Sequence, residues 1–302
     1  MSRAYGLRIA AAFAVIYLVW GSTFLAIRLA VETIPPLSMM ALRCLVAGAI
    51  LALWAGVRPT AAQLRGAALT GSLFFLGCHG VVAAVQQRVP SGIAALFMAT
   101  IPLWVPLLGH LAGRAAPPRP LALLGLGGGL AGVGLLLAGK GVDAHLLTFA
   151  DGLLLLAAAL AWAAATVAGR HLELPPGAAA TAGWQLLCGG LLLSLAALLL
   201  GETADFAMPS LASAGGLAYL IVFGTLLGFS CFAWLVARVP AAMVSTYAFV
   251  NPPIAVLLGW LLVGEPLTLG MGVATALIAG SVALSLWALS RPATPPQAAR
   301  SA

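Results

Sequence analysis

The chain has 302 residues, 63% of them hydrophobic and only 7% charged, whereas soluble domains are about one quarter charged. That composition excludes an ordinary soluble domain and points to a polytopic membrane protein. The balance of 14 Lys and Arg against 7 Asp and Glu gives a net charge of +7, but the cations stand singly at the ends of apolar runs, so they read as topology signals and not as a nucleic-acid surface.

Apolar runs bounded by charge, Pro or Gly predict ten helices over residues 9–29, 36–55, 66–86, 91–112, 120–139, 152–170, 180–200, 211–236, 241–262 and 267–289. Each is close to the length needed to cross a bilayer. Arg3 and Arg8 before the first run give it a superficial likeness to a signal peptide, but the run is too long, lacks a convincing cleavage site and opens a series. The connections are short and mostly marked by Pro, among them Pro35, Pro59, Pro90, Pro117, Pro175, Pro209, Pro240 and Pro266. The tail after Arg291, rich in Pro and Ala, is expected to be disordered. The fold class is therefore all-α integral membrane.

The chain repeats itself. Residues 88–110, RVPSGIAALFMATIPLWVPLLGH, align with 238–260, RVPAAMVSTYAFVNPPIAVLLGW, at an offset of 150 without a gap. An earlier pair of regions matches at an offset of 142, through Trp20/Trp162, Arg28/Arg170, Gly48/Gly190 and Leu51/Leu193. Residues 1–145 and 146–290 are thus expected to be two related halves of five helices each, with 291–302 a cytoplasmic tail.

An odd number of spans per half forces the halves into opposite orientations. With the N-terminus inside, ten cations fall on the cytoplasmic side (Arg3, Arg8, Arg58, Arg65, Arg114, Arg119, Arg170, Arg238, Arg291 and Arg300) and three outside (Arg28, Arg88 and Lys140). Both termini are expected in the cytoplasm. Inverted repeats can exchange conformations so that a central site opens to one side and then the other.

Several side chains are candidates for that site. Tyr17, Trp20 and Phe24 share a face of the first helix, followed through its length by Ser22 and Thr23. Trp162 is the repeat counterpart of Trp20, and the two rings are expected to form an apolar wall with two indole donors. Arg43 lies within the second span, where an Arg faces the protein interior or water and is paired, or snorkels to the interface; Glu32 and Glu265 are the candidate partners. Its counterpart is Gln185. His79 and Gln86 share a face of the third span with Phe75, and His79 either meets substrate or bonds a carbonyl of a neighbouring helix. His110 reads as structural. Tyr247 and Asn251 share a face of the ninth span beside Ser245 and Thr246. Pro252 and Pro253 there, and Pro102 and Pro106 in the fourth span beside Thr100 and Trp104, free backbone carbonyls at matching places.

Gly125, Gly128, Gly129 and Gly132 in the fifth span, with Gly270, Gly272 and Gly280 in the tenth, read as close helix packing within the fold or in a homodimer. Cys44, Cys78, Cys188 and Cys231 fall within spans as small packing residues. No metal-ligand set, nucleotide loop or catalytic constellation is evident, so neither enzyme chemistry nor a cofactor is expected.

The segments YLVWGSTFLAIRLAVETIPP (17–36), ALRCLVAGAIL around Arg43, VPSGIAALFMATIPL (89–103) and NPPIAVLLGWLLVGEPLT (251–268) resemble the EamA family of the drug/metabolite transporter superfamily over nearly the whole chain. The resemblance implies a ten-helix permease of the bacterial inner membrane with a central cavity, often an exporter of amino acids or related compounds. The chain departs from the pattern at His79, where many relatives have Asn, and at Gln86, where they have Glu. The leading expectation is a secondary transporter of a small organic solute. A lipid-carrier flippase of the same superfamily is the nearer alternative. A membrane-embedded enzyme acting on lipid or prenyl substrates is the remote one, because acidic residues lie near helix ends.

Overall fold

The computed structural model describes residues 3–138, 146–202, 208–236, 238, 239, 244 and 246–290. Lys140, Pro240, Ser245, Arg291, Arg300 and the tail lie outside the described residues. Among those described the chain is all helix, without a strand. Eight helices of 18 to 26 residues are long and apolar enough to cross a membrane, and Val250–Val263 and Leu269–Ser285 are shorter apolar helices. It is a membrane protein.

In chain order the helices are α1 (Arg3–Ala30), α2 (Pro36–Ala55), α3 (Ala61–Gly71), a π-helical segment (Ser72–Gly80), α4 (Val81–Val85), α5 (Ser91–Met98), α6 (Ile101–Leu111), α7 (Pro120–Leu137), α8 (Phe149–Gly169) and α9 (Ala178–Leu199). They continue with α10 (Leu211–Tyr219), a second π-helical segment (Leu220–Leu227), α11 (Gly228–Val236), α12 (Tyr247–Val263) and α13 (Leu269–Ser290). Helix α3 starts earlier than expected because Thr60 and Gln63 form a capping box, each side chain satisfying the other's backbone amide. The run expected over 91–112 is broken at Ala99 and Thr100, just before Pro102, which lacks the amide a continuous helix needs.

Two helix pairs form the closest packing. Helix α2 lies along α9 and α7 along α13, and glycines let their backbones approach. A Cβ added at Gly48 would stand 2.9 Å from both Leu186 Cβ and the Leu187 amide, while one at Gly190 would meet Leu45 at 3.0 Å and Cys44 Cβ at 3.1 Å. Gly125, Gly128, Gly129 and Gly132 pack within the chain: α13 covers Gly125, Gly128 and Gly132 through Ser281, Ser285 and Ile278, and Leu103 of α6 covers Gly129. Small residues at such crossings supply van der Waals contact where lipid removes the hydrophobic drive between helices.

The ends of helices bearing Pro35 and Pro90 carry a consistent arrangement. Both prolines occupy N-cap positions and offer no side-chain cap. Glu202, following α9, supplies one to α2 by accepting from the amides of Leu37 (3.2 Å) and Ser38 (2.8 Å). Glu265, following α12, does the same for α5. At that end Arg88 pairs with Asp151, which also closes a capping box with Thr148 at the start of α8. Ser210 donates its amide to Thr33 Oγ1 and Ser213 its hydroxyl to the Leu29 carbonyl. Apart from that capping box, these contacts join the first 145 residues to the remainder.

Candidate functional site

The two π-helical segments organise the interior. Such a segment adds a residue to the helical turn, so groups five apart face each other, and it often marks a functional site. His79 Nδ1 lies 3.2 Å from the Phe74 carbonyl, and Thr225 Oγ1 donates to the Leu220 carbonyl at 2.9 Å. Both side chains thus bond the carbonyl five residues back. The His79 partner is a carbonyl of its own helix and not of a neighbour, and as a carbonyl only accepts, Nδ1 carries the proton.

Each candidate tryptophan packs on one of these segments. Trp162 of α8 meets Phe74 edge to face with ring centroids 4.6 Å apart, and His79 likewise at 5.1 Å; His79 also stacks on Phe75 at 5.7 Å. Trp20 of α1 donates its indole N–H to the Gly224 carbonyl at 3.1 Å. Phe74 and Gly224 are 150 residues apart. The ring contacts among the described residues form two groups, one about each tryptophan, and the Trp20 donor is already engaged.

The Trp20 cluster continues into α11 and α12. Tyr247 meets the indole edge to face at 4.9 Å and Phe232 lies 5.3 Å away. The Tyr17 hydroxyl bonds that of Thr246. Asn251 is buried, and its amide nitrogen faces the carbonyls of Tyr17 and Tyr247, each at 3.2 Å. It joins α1 to α12 where Gly21 presses on Ile254.

Arg43 sits between the two segments, both of which contact α2. Its residue exposure is 8%, and its Nε donates to Thr225 Oγ1 at 3.0 Å while Nη1 approaches Met40 Sδ at 3.8 Å. The side chain is held inward and does not snorkel. Neither expected carboxylate pairs with it: Glu265 is engaged at α5, and Glu32 is exposed. Gln185, its counterpart, donates from Nε2 to Thr70 Oγ1 at 2.8 Å, so a long polar side chain reaches a threonine of the opposite half in each case.

The remaining candidates are spread around this centre. Ser22 donates to the Val19 carbonyl and bonds the Tyr219 hydroxyl at 2.7 Å, and Thr23 donates to the Trp20 carbonyl. The Phe24 carbonyl accepts from Gln86 Nε2 at 2.9 Å; Gln86 is fully buried, with Oε1 unpartnered. Thr100 is buried and accepts from Trp104 Nε1 at 3.1 Å. Sequence reasoning missed Phe74, Tyr219, Gly224, Thr225 and Phe232. Glycines at 71, 77 and 80 and at 224 and 228 mark both segments, but periodicity gives no sign of an added residue in a turn.

The EamA-like transporter family model matches residues 7–138 and again 152–287. The chain belongs to the EamA-like transporter family. It is 36% identical over 258 residues to the uncharacterized inner membrane transporter YedA of Escherichia coli, covering 84% of this chain and 82% of that one. It is 28% identical over 276 residues to a probable amino-acid metabolite efflux pump of Salmonella typhimurium, covering 87% and 89%. A solved crystal structure shares the fold at a TM-score of 0.62 and 20% identity, over 94% of this chain and 96% of that one. The permease is a multi-pass membrane transporter of a small molecule and not an enzyme, as family and relatives are transporters and an efflux pump.

Proposed function

We propose that this permease exports small organic metabolites, amino acids or related compounds, by alternating access between inverted five-helix halves, residues 1–145 and 146–290, with both termini cytoplasmic. The observation that carries this reading is the exchange of contacts between α2 and α9. Gly48 meets Leu186 and Leu187 while Gly190 meets Cys44 and Leu45, and each residue is 142 positions from its counterpart. That reciprocal exchange supports a twofold axis between the halves.

The substrate site in this reading lies between the π-helical segments, lined by Trp20, Arg43, His79, Trp162 and Tyr247. Ser22, Thr23, Phe24, Gln185 and Asn251 shape its surroundings. The match to an amino-acid metabolite efflux pump supports the substrate class, and the ten-to-three distribution of cations in the sequence supports the orientation. The end carrying Glu202, Glu265 and Asp151 is then the outer one. A pseudo-symmetric pair of halves can rock about a fixed central site.

The test is to tether that end. Cysteines replacing Ser38 and Glu202 in a background without the native cysteines, joined by a short bifunctional thiol reagent, should stop amino-acid efflux from proteoliposomes. Cleavage of the tether should restore it. Undiminished flux with the tether in place would falsify alternating access through this end.

A further inference from the structure

We propose that Arg43 is the anchor for a carboxylate on the transported solute, so that the permease selects substrates bearing an anionic group beside an apolar body. This rests on the permease reading above and names its substrate chemistry. The starting point is charge. The described carboxylates are Glu32, Asp151, Glu173, Glu202 and Glu265. Glu32 and Glu173 are exposed, Asp151 pairs with Arg88, and Glu202 and Glu265 cap α2 and α5. Arg43 makes no ion pair with any of them.

An Arg held inside a membrane protein without a counter-ion is costly, and the cost falls when an anion arrives. The guanidinium is also presented for that purpose. Thr225 fixes Nε, which orients the planar group and leaves the Nη2 edge without a hydrogen bond among the described residues. Among the described residues the enclosed side-chain atoms without a partner are Ser38 Oγ and Gln86 Oε1, and Nη2 is not one of them. Gly224 flanks it: a Cβ there would come within 3.7 Å of Nη2 and 3.0 Å of Thr23 Cγ2. The absence of a side chain at 224, where the other half has Phe74, keeps the approach open.

The surroundings supply the apolar contact. Arg43 is on α2, which contacts both π-helical segments; one carries His79, flanked by Phe75 and Trp162, and the other carries Gly224, whose carbonyl holds the Trp20 indole. A carboxylate on Nη2 would stand beside Gly224 and Thr23, leaving the apolar body of the solute to the rings packed about the two segments. A guanidinium recognises such a group with directed, charge-assisted hydrogen bonds that an amide cannot match.

The experiment compares matched solutes in proteoliposomes: L-leucine, L-phenylalanine and 3-phenylpropionate, each against its amide. Wild type should move each acid about tenfold or more faster than its amide at equal subsaturating concentration. Arg43→Gln should erase that preference, and Arg43→Lys, which keeps the charge but not the planar fork, should retain part of it. Size-exclusion profiles establish that the variants fold, and the wild-type comparison stands without them. Amides that move as fast as the acids, or an acid preference that survives in Arg43→Gln, would overturn the anchor and leave the permease reading standing. Movement of none of the six solutes by wild type would remove the amino-acid substrate reading together with the anchor.

Discussion

Glu265 holds Ser91 by two hydrogen bonds and Gly92 by a third: Oε1 accepts from the Ser91 amide at 2.7 Å, and Oε2 accepts from the Ser91 hydroxyl at 2.9 Å and the Gly92 amide at 3.3 Å. The first amides of α5 have no partner within their own helix, and Pro90 has no side chain to offer them. A carboxylate there satisfies donors and meets the positive end of the helix dipole. Gly264, at φ +67°, turns the chain so that Glu265 reaches back, and Gly259 leaves room for it, since a Cβ there would lie 2.2 Å from Oε2.

Removing this contact should loosen one end of the transporter. We expect Glu265→Ala to cost about 1–2 kcal/mol, the scale of a lost helix cap with its charged hydrogen bonds. Val89, fully buried beside it, gives the readout in a background without the native cysteines. A cysteine at position 89 should react with an impermeant maleimide faster in Glu265→Ala than with Glu265 present. Unchanged labelling would mean that this end opens elsewhere.

Asp151 and Arg88 should behave unequally although they form one ion pair. The Arg88 side chain is 55% exposed and Asp151 is buried, so solvent screens the pair and its own contribution is under about 1 kcal/mol. Asp151 also accepts from Thr148 Oγ1 at 2.7 Å and closes the α8 capping box. Thermal unfolding in detergent should therefore show a clear loss of Tm for Asp151→Ala and little for Arg88→Gln. Equal losses would place the energy in the ion pair after all.

Much of this was legible in the sequence. Length and apolarity of the runs mark the spans, and the match at 142 residues points to Gly48, Gly190, Trp20 and Trp162, all of which lie at helix contacts. Arg43 is conspicuous because charge is costly in a span. Its partner Thr225 was not legible, since a π-helical turn comes from packing in three dimensions and shifts every later residue around the helix. The Glu265 cap was equally hidden: it joins residues 174 apart, and the sequence pairs Glu265 with Arg43 on the ground of charge alone. Asn251 reads from the sequence as a substrate group, and what the sequence does not show is that its amide faces two backbone carbonyls.

The exchange of contacts between α2 and α9 gives a prediction about unequal glycines. A methyl at position 48 meets the Leu187 backbone, which cannot move without shifting α9, whereas one at position 190 meets mainly the Leu45 side chain, which can rotate. Overpacking of this kind costs about 1–3 kcal/mol. Gly48→Ala should lower Tm in detergent more than Gly190→Ala does. The reverse order would show that the backbones are less tightly apposed than 2.9 Å implies.

The last expectation concerns energy coupling. A proton-driven carrier needs a group in the membrane interior that changes protonation between its two facing states. No described carboxylate lies at the centre, and the buried Gln86 is an amide that cannot titrate. His79 remains the titratable ring there with a pKa ordinarily near neutrality. Its Nδ1 proton is fixed on the Phe74 carbonyl, so exchange with a proton from either side falls to Nε2, the nitrogen not engaged by that carbonyl. The ring stands edge to face with Trp162, and rocking of α8 against the π-helical segment would change access to it. Transport is then either downhill along the solute gradient or weakly linked to protons through His79. Flux in proteoliposomes with and without an imposed pH gradient separates these, using wild type and His79→Gln, the latter keeping a donor for the Phe74 carbonyl. A gradient effect of a few-fold in wild type that disappears in His79→Gln assigns the coupling to this ring, and no effect in either protein assigns facilitated diffusion. Gradient-driven accumulation of equal size in both proteins would exclude both, because a proton site away from His79 would then be required.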